Sequence, residues 1–136
     1  MSSHPVSRLQ GLSWGAAALT GAAAAYGASA LVAQARSYCD AAWEPPHRFT
    51  HLVEFLGLAA GTAFAAVTVA VLARAAAVRG PRPLRASAQL VGVLLVVAWL
   101  AWWYVGAQAT PAGYPGDSGL CPDSNVPPWW PGWLPT

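Results

Sequence analysis

Polar residues interrupt the chain at wide intervals, and the intervals between them are almost wholly apolar. The first apolar run extends from about residue 12 to 33, the second from about 51 to 73 and the third from about 88 to 107. A helix rises ~1.5 Å per residue, and about 20 residues cross the ~30 Å hydrocarbon core of a bilayer. Each run therefore predicts one transmembrane helix. The expected fold is an all-α integral membrane protein with three spans. It divides into a helical domain over residues 1–109 and a tail over 110–136 that is too rich in Pro and Gly for helix or strand.

Orientation comes from the arginines. Arg74, Arg79, Arg82 and Arg85 crowd the short segment between the second and third runs. Cytoplasmic loops retain such residues, so this loop is expected inside, with the N-terminus inside and the C-terminus outside. Asp40, Glu44, Glu54, Asp117 and Asp123 then fall at or beyond the outer ends of the runs. Arg36 and Arg48 break the pattern.

The runs differ in texture. The first is rich in Ala and Gly, with Gly11 and Gly15, and again Ala23 and Gly27, spaced four apart. The second carries Gly57 and Gly61, continued by Ala65. Small residues at this spacing let helices approach closely, and the first helix is expected to pack on the Gly57/Gly61 face of the second. The third run holds Leu90, Val91, Val93, Leu94, Leu95, Val96 and Val97, and is expected to face lipid most widely. Trp99, Trp102 and Trp103 near its end, with Trp129, Trp130 and Trp133 in the tail, are expected anchors at the outer interface. The tail's end is expected on the outer leaflet or in a groove on a partner. A cleaved secretory signal is the competing reading of the first run, because Ala28-Ser29-Ala30 and Ala33-Gln34-Ala35 offer small-residue cleavage sites. The run exceeds the ~7 to 15 residues of a signal core, which favours a retained span.

Composition supports a membrane class. Of 136 residues, 56% are hydrophobic and 9% charged, too apolar for a water-soluble domain of this length. The absence of Lys and Ile beside abundant Ala matches GC-rich codons. The expected location is the plasma (inner) membrane of a high-GC bacterium. The net charge of +2 gives no footprint for nucleic acid, since the basic loop is short and lacks interleaved aromatics.

Two cysteines, Cys39 and Cys121, fall on the same outer face under this orientation, where the compartment is oxidising. A structural disulfide between them is expected, pinning the tail to the first outer loop. A redox-active pair wants closely spaced cysteines and a low-pKa thiolate, and neither is visible.

Candidate chemistry is sparse. His47, His51 and Glu54 share one face of a helix starting near Pro46, the spacing a transition metal or haem ligand set needs. A complete site asks for a fourth ligand and supporting shell. Glu54 also reads as an interfacial partner for Arg48, Arg36 or a histidine. Asp117 and Asp123 read as turn formers before calcium ligands. The signatures GxSxG, GxxxxGK[ST] and HExxH are missing. The favoured expectation is a non-enzymatic accessory or interaction subunit of a larger membrane complex, or a self-associating one, without cofactor. The alternative is a metal or haem protein using His47, His51 and Glu54 in electron transfer or metal delivery. A weaker alternative is a lipid- or quinone-binding module, with its ligand under Trp99, Trp102 and Trp103.

Overall fold

The structure, a computed structural model, describes residues 5–39, 45–77, 80–108, 118–123 and 126–135, and the side chains among them outside 5–12, 45–48 and 82. Three helices make up the bundle: α1 (Pro5–Tyr38), α2 (Pro45–Ala76) and α3 (Arg82–Gln108). All three are long and apolar enough to cross a membrane, over Ser13–Tyr38, Phe49–Ala76 and Pro83–Gln108. That fits a multi-pass membrane protein. Each helix outruns the apolar segment read from the sequence, because the backbone ladder continues past the last apolar side chain. Prolines stand where helices tolerate them. Pro5 and Pro45 open α1 and α2, and Pro83 lies in the first turn of α3, positions whose N–H would have no intrahelical acceptor. The amide of Arg85 reaches the Pro81 carbonyl at 3.3 Å and starts the α3 ladder.

Each helix touches both others. The C-terminal ends of α1 and α3 meet the N-terminal half of α2 at the disulfide end. The opposite, arginine end holds the α2–α3 turn, where the Gly80 amide donates to Ala77 O at 3.0 Å and Arg85 Nε to Gly80 O at 3.0 Å.

Two small cores hold the bundle. One gathers Ala17 of α1, Ala66 and Ala70 of α2, and Val93 and Val97 of α3. The other, towards the disulfide end, gathers Ala28, Val32 and Ala35 of α1, Tyr104 and Val105 of α3, and Trp130 of the tail. Large apolar side chains such as Leu19, Phe64, Leu72, Leu90 and Leu95 point outward instead. That inversion suits lipid, which competes poorly with water as a reason to bury leucine but rewards close backbone approach.

The α1–α2 contact differs from the expected one. Gly57 and Gly61 have open space where a Cβ would stand, and so does Gly15. The close approach is made by Gly21, whose Cβ would meet the Thr62 carbonyl oxygen at 2.7 Å and Ala63 N at 2.9 Å. Thr62 is buried there, and its Oγ1 donates towards Gly21 O at 3.0 Å, shared with Leu58 O at 2.8 Å. Ala17 and Ala25, one turn before and after Gly21, are buried on the same ridge and continue it smoothly. Gly11 lies outside the described side chains. The apolar windows of α2 and α3 are buried to similar extents, 17% and 22%, so the two helices face outward about equally.

Candidate functional site

Chemistry-bearing side chains converge at the disulfide end. Cys39 and Cys121 are bonded, with Cα atoms 5.4 Å apart across 82 residues of chain. Cys39 is wholly buried at the last turn of α1, its amide donating to Ala35 O at 3.2 Å. Before Cys121 the tail turns at Gly119, whose φ of 65° is left-handed and suits a residue without Cβ.

Beyond the disulfide the tail folds back on its own bundle. Trp130 is buried among Val32, Ala35, Tyr104 and Val105, with Val126 and Leu134 packed against the same cluster. Trp129 meets Tyr38 edge to face at 5.9 Å. Trp102 Nε1 donates to Trp133 O at 3.5 Å, and Pro135 Cγ lies 2.9 Å from where a Cβ on Gly106 would stand. The tail is thus a plug seated on α1 and α3. Trp130 departs from the expected interfacial role, because it fills the core gap between those helices. Trp99, Trp102, Trp103, Trp129 and Trp133 are exposed.

His51 and Glu54, one turn apart on α2, make hydrogen bonds to different helices. His51 Nε2 lies 3.4 Å from Ser29 Oγ on α1, while Glu54 Oε2 accepts from Gln108 Nε2 on α3 at 3.0 Å. The two residues serve opposite neighbours of α2. The His47 side chain lies outside the described residues, as does that of Arg48. Among the described residues no group of three His, Cys, Asp or Glu side chains stands close enough to hold a metal ion.

Sequence reasoning missed a different convergence, of Ser29, His51 and Tyr104, one from each helix. Ser29 and Tyr104 are both buried, and the Tyr104 hydroxyl, shielded from the surroundings, has Ser29 as its polar neighbour. Polar residues inside apolar runs were the available signal, but helix rotation decides whether they meet. A Ser–His contact is the first requirement of a nucleophile and its base. Here the serine is buried, the contact is long, and the nearest carboxylate on α2, Glu54, is engaged by Gln108. The trio is therefore suited to joining helices. A second chain of contacts runs beside it: Arg36 Nη2 donates to Gln108 O at 3.1 Å, and Gln108 in turn donates to Glu54.

Two clefts flank α2. One of about 430 Å³ lies against α1, lined by Tyr26, Ser29, His51 and Phe55. The other, about 520 Å³, lies against α3, with Gly57 and Gly61 in its floor, Trp103 in its wall and Glu54 and Gln108 at one end. The chain was also compared with protein-family models, curated proteins and solved structures, and none of them matches.

Proposed function

We propose that this chain is a small non-enzymatic membrane subunit that docks, through α1, on another transmembrane helix. The observation that carries the reading is the outward face of α1. Gly15, Ala16, Ala23, Gly27 and Ala30 are exposed there, and neither Gly15 nor Gly27 has an atom within 4 Å of its Cβ position. Exposed Leu19 and Tyr26 stand among these small residues, so the face offers two large apolar knobs beside small-residue holes, a surface that a partner helix can pack on closely. The other face of α1, through Ala17, Gly21, Ala25 and Ala28, is already used inside the chain.

The arginine end faces the cytoplasm of a bacterial plasma membrane in this reading, and the disulfide end the oxidising exterior. The bonded plug would then close the outer end of the bundle and keep the tail off the partner.

Mild-detergent purification of the tagged chain from native membranes tests the proposal. A stoichiometric companion polypeptide, lost when Gly15 and Gly27 are both replaced by Leu, is the expected result. A stable monomer that co-purifies with nothing would refute it.

A further inference from the structure

The cleft between α2 and α3 has the shape and polarity of a site for one chain of a membrane lipid. Gly57, Gly61 and Ala65 form its floor, Leu100 and Trp103 its wall. At the disulfide end it is closed by the Glu54 carboxylate and the Gln108 amide, 3.0 Å apart. Gln108 is the last residue of α3, so this polar end lies level with the helix end, where a lipid headgroup resides. From Glu54 to Ala65 the cleft runs roughly 16 Å along α2 at ~1.5 Å per residue, about half the ~30 Å hydrocarbon core and so the depth of one leaflet.

Its size selects the occupant. About 520 Å³ is within the range of small-molecule sites, apolar with a few placed polar groups. An acyl chain laid along the ~16 Å of this cleft would contact both helices while its outer side stays open to the bilayer.

Charge selects the headgroup. A carboxylate accepts through two oxygens with about four lone-pair sites, and Gln108 occupies one. Arg36, outside the cleft lining, donates to the Gln108 carbonyl oxygen at 3.1 Å, so the carboxylate is the charge that the cleft itself presents. A headgroup with its ammonium towards Glu54 matches this. We propose that the α2–α3 cleft binds one chain of an amine-headgroup phospholipid in the leaflet at the disulfide end, with Glu54 accepting from the headgroup ammonium. Leu58 and Thr62 line this site beside the α1 contact, but none of its lining residues belongs to the outward face of α1, so it does not depend on that docking face.

The test uses the full chain in nanodiscs containing equal parts phosphatidylethanolamine, phosphatidylcholine and phosphatidylglycerol, released into mild detergent and weighed by native mass spectrometry. One retained lipid per chain is expected, with phosphatidylethanolamine enriched at least ~tenfold over phosphatidylglycerol, the scale of a hydrogen bond to a charged group. Glu54→Gln should keep the lipid but reduce that preference to near parity. Gly61→Leu, which fills the floor, should abolish retention, whereas Gly61→Ala, with open space at its Cβ, should keep it. The mass of the intact Cys39–Cys121 bond checks that each variant has folded. Gly15→Leu should leave lipid retention unchanged even where it removes a companion polypeptide, so the two proposals fail separately. A wild-type chain that keeps no lipid, equal retention in Gly61→Leu, or a preference for phosphatidylglycerol would overturn the site.

Discussion

Gly21 of α1 lies so close to Thr62 of α2 that a Cβ there would stand 2.7 Å from the Thr62 carbonyl oxygen. Backbone, unlike the tip of a flexible side chain, cannot step aside. Gly21→Ala must therefore push the two helices apart, and overpacking of this kind costs ~1–3 kcal/mol. Gly15→Ala, with nothing within 4 Å, should change stability by less than about 0.5 kcal/mol. Reversible unfolding in mixed micelles, comparing the two alanine variants, checks the contrast.

Thr62→Val keeps the shape at the same crossing and removes the donor to Gly21 O, 3.0 Å away. Interhelical hydrogen bonds in membranes average about 0.6 kcal/mol, so the loss should be small. A loss as large as that of Gly21→Ala would mean that the hydroxyl, and not close packing, holds α1 to α2. The same unfolding assay decides.

Neighbouring tryptophans should behave oppositely. Trp130 is 8% exposed in the core and Trp133 74% exposed. Trp130→Ala removes a buried side chain of a class whose truncation costs ~3–5 kcal/mol, while Trp133→Ala should stay within about 0.5 kcal/mol in detergent. Limited proteolysis reports the first directly, as faster cleavage within residues 118–135. Equal resistance of the two variants would contradict the plug.

The spans and the disulfide were legible in the sequence because both follow from coarse quantities. Three apolar runs of bilayer length leave little choice of architecture, and two cysteines permit one pairing. Which glycine meets which helix was not legible. A spacing of four shows that a small face exists, as at Gly57 and Gly61, but says nothing of what stands opposite it. Gly21 was hidden among alanines, where a missing Cβ leaves no periodic trace. The tail has no period at all, so Trp129, Trp130 and Trp133 looked alike until the fold separated them. Ser29, His51 and Tyr104 needed the rotation of three helices about their axes, which local pattern does not encode.

Orientation can be read from thiol chemistry. With Cys39→Ser, the remaining Cys121 should react with a membrane-impermeant maleimide in intact cells, whereas a thiol placed by Ala77→Cys in a cysteine-free background should react only after permeabilisation. The reverse labelling pattern would invert the topology drawn from the arginines.

Reducing the bond should loosen the tail first. Closing a loop this long contributes on the order of 4–5 kcal/mol through the unfolded ensemble, and residues 126–135 would then be held by side-chain packing alone. Dithiothreitol treatment should lower the midpoint of unfolding and expose the tail to protease before the helices melt. A tail equally protected with and without reductant would show that packing suffices.

Because its two sulfurs lie on either side of α2 and α3 in the chain, the bond makes a covalent ring that contains both helices. A single cut in the turn between them would leave one molecule on a non-reducing gel and two after reduction. The ring also cannot close until the last helix has been threaded and the segment after it delivered to the partner sulfur. An oxidised chain is thus a receipt for finished assembly, and a stalled or truncated nascent chain would carry its first thiol unclaimed, a ready mark for quality control.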